Sequence, residues 1–437
     1  MDYQQAVDYL DRHIGAGYKP GLDRIATLME MMGHPEDGYP IIHVAGTNGK
    51  TTTCRLATML IVAHGLNAGT FISPHLERIE ERISANGRNA TAEEFAQAVT
   101  DVAAFADIYE ERYHQSLTYF ELTAAMAFAW FAELAVDAAV IEVGLGGRLD
   151  ATNVARGEVA VVTSIGLEHM EVLGDTHEKI AVEKLGIVKP GCVLVTGALP
   201  EAALAVARDV ADEKKVRHLH LGSDFNVEEA TRAVGGWYAR ISGVYREYDD
   251  ILLPLHGRHQ ITNLAVAVAA VEALLGRPLD PEAVRQGALA SRSPGRMELI
   301  PGTPTLLLDG AHNPEGFAAL AAALKEEFPG RSFILLTAAM EDKDLGTMLP
   351  ALHGHVDQVV ATRVNSPRAL APEALAATAS RLLNVPAVSA HDPEAALNAA
   401  RQIAGEEGAI LVTGSLYLVG AVRSLVLGEG AAQRNER

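Results

Sequence analysis

The run Ile41-Ile42-His43-Val44-Ala45-Gly46-Thr47-Asn48-Gly49-Lys50-Thr51-Thr52-Thr53 constrains this chain more than any other stretch. It reads as a short apolar strand, a Gly-rich turn and the start of a helix that continues through Leu56 and Met59. In that setting backbone N–H groups converge on one point, and the helix dipole favours an anion there. Lys50 adds a point charge for the terminal phosphates of a nucleotide, and Thr51 or Thr52 offers a hydroxyl to Mg²⁺. Gly46 and Gly49 let the backbone approach where a side chain would collide. With Thr47 and Asn48 between them, these residues form the expected ATP-phosphate site. One position departs from the P-loop pattern: Val44 stands where glycine is usual, five places before Gly49.

A chain of 437 residues is too long for one usual core, so two domains are expected. The 36 Lys and Arg against 56 Asp and Glu give a net charge of −20, which argues against a general nucleic-acid-binding surface. Local cationic pockets for an anionic substrate are compatible with that balance. The two cysteines, Cys54 and Cys192, lie far apart without metal-ligand spacing, which excludes a disulfide framework and points to a reducing compartment. The N-terminus lacks a basic and apolar leader, and no run of 18 apolar residues occurs. A soluble cytoplasmic protein without a membrane partner is the expectation.

Along the chain, residues 2–32 suggest two short helices around a Gly-containing break that includes Tyr18-Lys19-Pro20. Ala68-Gly69-Thr70-Phe71-Ile72 is a strand running into Ser73-Pro74-His75-Leu76. Thr91, with Glu94 three residues on, has the pattern of an N-cap, and a second helix is expected over 119–134. Ala138-Ala139-Val140-Ile141-Glu142-Val143 is a buried strand that ends in a carboxylate. A similar strand over 159–165 runs into Gly166-Leu167-Glu168-His169, and a helix over 176–188 carries Glu183 and Lys184. Residues 226–255 change texture and suit an antiparallel hairpin. An apolar helix follows Asn263, and Ser291-Arg292-Ser293-Pro294-Gly295-Arg296 has the turn-rich composition of a linker. Beyond it, strands at 305–308, 333–337, 356–362 and 409–413 alternate with Ala-rich helices. Alternation of this kind argues for mostly parallel, covered sheets.

Ligands in open α/β sheets sit at the carboxyl ends of strands. The P-loop, Ser73-Pro74-His75, Glu142 and His169 all fall at such ends or turns. A Thr51 or Thr52 hydroxyl, the Glu142 carboxylate and the His169 imidazole can hold one or two divalent cations beside a nucleotide triphosphate. In the second domain, Asp309 in Leu308-Asp309-Gly310-Ala311-His312-Asn313-Pro314 could accept a ribose hydroxyl or an amine proton, and His312 could position a carboxylate. The residues thus describe a two-domain, Mg²⁺-dependent ATP enzyme with a cleft between its domains. They leave the reaction class open.

Ordered motifs then carry a resemblance: His43–Lys50, Ser73-Pro74-His75-Leu76, Glu142-Val143-Gly144-Leu145-Gly146-Gly147-Arg148-Leu149-Asp150-Ala151-Thr152-Asn153, Glu183-Lys184-Leu185-Gly186-Ile187, Asp309-Gly310-Ala311-His312-Asn313-Pro314 and Gly414-Ser415-Leu416-Tyr417. From about Leu22 to Val422 the chain resembles the folylpolyglutamate synthase/dihydrofolate synthase family of the Mur ligase superfamily. The resemblance implies an α/β fold. A Mur-ligase-like P-loop ATP-binding domain with a mostly parallel sheet would span 1–292, and a smaller Rossmann-like C-terminal domain 297–437. It implies ATP-dependent addition of L-glutamate to dihydropteroate or a reduced folate through an acyl phosphate, by a monomer acting on small molecules.

By position, Glu142 and His169 resemble the family's metal ligands, with Thr51 or Thr52 as a further one. Lys184 matches a lysine that the family carries as a carbamate, and Lys50, Lys184, Asp309 and His312 are the expected catalytic groups. Asn263, Arg296 and Asp309 match nucleotide contacts, and His312 and Ser415 residues around the incoming glutamate. Ser73, His75, Thr118, Tyr119, Phe120, Glu121, Leu149, Asp150 and Ala151 match the substrate side, with Phe120 suited to stack on a pterin. Thr51 departs from the family, whose loop usually has glycine after the lysine, as the amino-acid-adding Mur ligases do not. The rival expectations are a ligase of the same fold acting on another carboxylate, and a nucleotide-binding scaffold. The reactive side chains at Glu142, His169, Lys184 and Asp309 argue against the scaffold.

Overall fold

The structure is a computed structural model that describes residues 1–17 and 19–435, including side chains except at 16 and 429–435; Tyr18 lies outside the described residues. The chain divides into two compact units. The first comprises Met1–Ala233, Tyr238–Pro254 and Gln260–Arg292, and the second Val234–Trp237, Leu255–His259 and Ser293–Arg437.

In the first unit the strands are β1 (Ile41–Ala45), β2 (Ala68–Phe71), β3 (Ile83–Ala85), β4 (Arg88–Asn89), β5 (Ala138–Glu142), β6 (Val159–Val162), β7 (Val193–Thr196) and β8 (Arg217–His220). Among the described residues they form one sheet of order β4-β3-β2-β5-β1-β6-β7-β8, parallel from β2 to β8 with an antiparallel β3–β4 edge. Burial on both faces makes β1, β5 and β6 nearly continuous apolar runs. β1 lies between β5 and β6, so the strand order reverses at the strand that leads into the P-loop. Helices Tyr3–Asp11, Asp23–Met31, Ala92–Tyr113 and Tyr119–Glu133 bury Phe95, Phe128 and Phe131 with Phe71 and Ile141 in one core. A second core joins Ile180, Leu185 and Ala203 to Ala160, Val162 and Leu194.

The expected N-cap at Thr91 is a complete capping box: Glu94 N donates to Thr91 Oγ1 at 3.1 Å, and Thr91 N to Glu94 Oε2 at 2.7 Å. Several sequence expectations change in extent: the apolar helix expected after Asn263 is His259–Leu275, so Asn263 lies within its first turns. β6 stops at Val162, because the next residues turn to meet the P-loop. The helix expected over 176–188 is His177–Leu185, with Thr176 as its cap. The texture change at 226–255 is three strands, β9 (Asn226–Ala233), β10 (Gly236–Ser242) and β11 (Glu247–Leu253), in the order β11-β10-β9.

The second unit contains β12 (Glu298–Ile300), β13 (Thr305–Leu308), β14 (Phe333–Thr337), β15 (Val356–Ala361), β16 (Ala387–Ser389) and β17 (Ala409–Thr413). Their order is β12-β13-β17-β14-β15-β16, parallel except for edge strand β12. Phe317, Leu320 and Leu324 pack on Phe333, Leu335 and Leu411 in its core. Glu327 ties remote stretches into this unit by accepting from Trp237 Nε1 at 3.2 Å and from Gly257 N, and by pairing with His256 Nδ1 at 2.6 Å. No helix among the described residues is long and apolar enough to cross a membrane.

Candidate active site

Helix Lys50–Ala63 begins directly after the glycine turn, as the strand–turn–helix pattern requires. Gly46 has φ +154, and a Cβ there would lie 1.9 Å from Thr163 Oγ1. Gly49 has φ +86, and its Cβ would lie 2.5 Å from Asn263 Oδ1, so Asn263 stands against the turn. Both positions therefore require glycine. The turn is braced by the chain after β6. Thr47 N donates to Ser164 O and Asn48 N to Ser164 Oγ, each at 2.9 Å, while Thr163 Oγ1 donates to Asn48 O at 2.7 Å. Lys50 Nζ donates to Gly46 O at 3.0 Å and Thr47 O at 3.2 Å.

Glu142 ends β5 at 1% exposure. It accepts from Thr51 Oγ1 at 3.0 Å and from Ser73 N at 3.3 Å. Thr52 is buried within the same helix. A hydroxyl and a carboxylate oxygen in contact form a hard donor set that suits Mg²⁺. His169 caps the short helix Met170–Leu173 with φ 51, and its half-exposed imidazole has Nε2 3.9 Å from Glu168. Lys184 is buried and donates from Nζ to Gly46 O at 2.9 Å. Burial, then the charge of Lys50, pulls its pKa down to about 7.

Next to Glu142 lies a cavity of about 390 Å³ lined by Ser73, Thr118, Tyr119, Phe120, Glu121, Leu149, Asp150 and Ala151, eight of the residues expected on the substrate side. The ring of Phe120 packs on Gly144, where a Cβ would come within 2.5 Å of it. Glu121 closes a capping box with Thr118 and pairs with Arg24 at 2.9 Å. Buried Asp150 accepts from Leu145 N at 2.9 Å and from Thr152 N at 3.0 Å; burial raises its pKa while these bonds oppose the rise. His75 is not among the residues lining this cavity. Its Nδ1 accepts from Arg82 Nε at 3.0 Å, and burial followed by the Arg82 charge lowers its pKa to about 4.

In the second unit, the Asp309 carboxylate accepts from Met297 N and Ala311 N, each at 2.9 Å, and so holds the turn after β13. A Cβ on Gly310 would lie 2.7 Å from Arg296 Nη1, which places Arg296 against that turn. His312 Nδ1 lies 2.8 Å from Gly310 O, and buried Ser415 follows Gly414 at φ +99.

Sequence reasoning did not single out the brace Thr163–Ser164, nor Arg82, which lines the cavity and stacks over Tyr119 at 5.2 Å. A Thr-Ser pair at a strand end was the available signal for the first. The Arg82 signal was weaker, a charged residue in the loop after Ser73-Pro74-His75.

Two protein-family models match the chain. The Mur ligase middle domain matches residues 44–271, and the Mur ligase glutamate ligase domain matches 295–416. The chain is 38% identical over 440 residues to the dihydrofolate synthase/folylpolyglutamate synthase of Mycobacterium tuberculosis, covering 93% of this chain and 90% of that protein. It is similar to the solved M. tuberculosis folylpolyglutamate synthase complexed with ADP (TM-score 0.93, 36% identity, 97% of this chain and 98% of that one). It is also similar to E. coli FolC in complex with DHPP and ADP (TM-score 0.86, 31% identity, 98% of each chain).

Proposed function

The chain belongs to the dihydrofolate synthase/folylpolyglutamate synthase family, and from that membership we propose an ATP-dependent ligase that adds L-glutamate to dihydropteroate, to reduced folate (poly)glutamates, or to both. Ser73 carries this reading. It lines the cavity beside Phe120 and Asp150, and its N–H donates to the Glu142 carboxylate that faces Thr51. A substrate carboxylate at that end of the cavity is next to the phosphate-binding turn.

One carboxylate oxygen attacks the γ-phosphorus of ATP, the bond to the β-phosphate oxygen breaks, and ADP leaves an acyl phosphate. The amine nitrogen of L-glutamate then attacks the acyl carbon, loses a proton, and expels phosphate as the amide forms. Three anionic partners must approach one another, and Lys50 with the N–H groups at the N-terminus of the helix it opens offsets their repulsion. Thr51 and Glu142, with His169 as a further ligand, would hold Mg²⁺, which when bound neutralises charge developing on the phosphate oxygens. With a pKa near 7, Lys184 keeps a large uncharged fraction at neutral pH. Its nitrogen can add to CO₂ and lose a proton to become a carbamate. Asn263, Arg296 and Asp309 bind the nucleotide, and His312 and Ser415 hold the incoming glutamate. Monomeric action in the cytoplasm belongs to the same proposal.

The test is ATP-dependent incorporation of labelled L-glutamate, run in parallel with dihydropteroate and with tetrahydrofolate. Product with both acceptors establishes a bifunctional synthase, and product with one selects that activity. Incorporation with neither, by protein that binds ATP, would reject the acceptor assignment.

A further inference from the structure

A histidine in the middle of β1 breaks an otherwise apolar strand. His43 aligns with Ile141 of β5 and Ala160 of β6 and is fully buried. Burial lowers its pKa to about 3, so the ring is neutral. Its Nε2 lies 2.8 Å from Thr152 Oγ1, which in turn lies 2.5 Å from Asp150 Oδ1. The three residues form a chain of hydrogen bonds from the centre of the sheet to the wall of the cavity.

Proton directions follow from the partners. Asp150 also accepts from Thr152 N and Leu145 N, and such bonds favour the ionised carboxylate. An ionised carboxylate only accepts, so the single hydroxyl proton of Thr152 points to Asp150. The Thr152 oxygen must then accept from His43, which puts the imidazole proton on Nε2. Nδ1 has no hydrogen-bond partner among the described residues, and that agrees: a buried lone pair left unpaired is better tolerated than a buried N–H. The Thr152 hydroxyl and N–H both donate to Asp150 Oδ1, whereas Oδ2 accepts from Leu145 N, and the Gly144 N–H also donates to this carboxylate. Asp150 lines the cavity, so a ligand N–H there meets a carboxylate whose orientation these bonds fix.

We propose that His43 is a positioning residue for the substrate cavity, orienting Thr152 so that Asp150 is held as an acceptor for an N–H group of the pterin-bearing substrate. This rests on the folate reading of that cavity. His43 does not touch substrate and acts through the Thr152 hydroxyl.

The experiment is steady-state kinetics of His43→Phe, His43→Gln, Thr152→Val and the His43→Phe/Thr152→Val pair, with Asp150→Asn as a reporter of the cavity. Dihydropteroate and tetrahydrofolate serve as acceptors. His43→Phe keeps a ring and removes the donor, and should raise the acceptor KM about five-fold while the KM for ATP is unchanged. His43→Gln, which restores an N–H, should recover most of that loss. The double variant should be no worse than Thr152→Val alone. An unchanged acceptor KM in His43→Phe, an equal rise in the KM for ATP, or multiplying effects in the double variant would each overturn the relay. Should His43→Phe fail to fold, Thr152→Val against Thr152→Ser decides: a raised acceptor KM recovered by serine supports the relay, and no difference between them overturns it. Asp150→Asn with an unchanged acceptor KM would instead reject the folate reading of the cavity.

Discussion

Neighbouring residues on a helix point about 100° apart, so Thr51 and Thr52 cannot both face one carboxylate. Thr51 faces Glu142 and Thr52 is buried. Sequence alone left the two equivalent, because it does not fix the rotation of the helix about its axis. Thr51→Val should therefore cut kcat far more than Thr52→Val, with the difference narrowing as Mg²⁺ is raised. Glu142→Ala should lower turnover by at least about a hundredfold with circular dichroism unchanged. Near-normal turnover there would remove Glu142 from the metal site. Lys184 was legible as a position, whereas its ionisation was not, since burial decides it. Its folded pKa lies below the unfolded value, so the folded state binds fewer protons between about pH 7 and the ordinary lysine range, and stability contributed by this site rises with pH there. Lys184→Met should consequently gain most in Tm, relative to the parent, near pH 6, and that gain should shrink by pH 9. A gain independent of pH would contradict the buried-amine assignment.

At the scale of elements, the strand–turn–helix unit was readable because its apolar run and glycines are contiguous. The brace from Thr163 and Ser164 was not, because it joins residues more than a hundred positions apart. The consequence is testable at Gly46. A Cβ within 1.9 Å of Thr163 Oγ1 must displace either the turn or its brace. Gly46→Ala should weaken binding of a non-hydrolysable ATP analogue by at least about tenfold in calorimetry. Unchanged affinity would mean that the turn does not hold the phosphates. The β3–β4 edge escaped the sequence for another reason. These strands are very short, β4 is exposed, and neither carries an apolar alternation long enough to read.

For the whole molecule, alternating strands and helices made two α/β sheets legible. The excursions of the second unit were not, since Trp237 meets Glu327 across 90 positions of chain. Glu327 carries a pKa below the ordinary carboxylate value: burial acts to raise it, and its bonds to His256, Gly257 and Trp237 outweigh that. Its contribution to stability is thus present above the unfolded pKa and lost as pH falls through the lower folded one. Glu327→Gln should cost about 2 kcal/mol near pH 7 in denaturant unfolding and less near pH 3. Equal loss at both would contradict the charged anchor.

In the proposed reaction the acceptor carboxylate becomes an acyl phosphate before glutamate attacks. An acceptor labelled with ¹⁸O in that carboxylate tests it directly, through mass analysis of the inorganic phosphate released during turnover. Transfer of one ¹⁸O from each acceptor consumed into phosphate is the predicted result. Phosphate released without label, alongside normal amide formation, would contradict it.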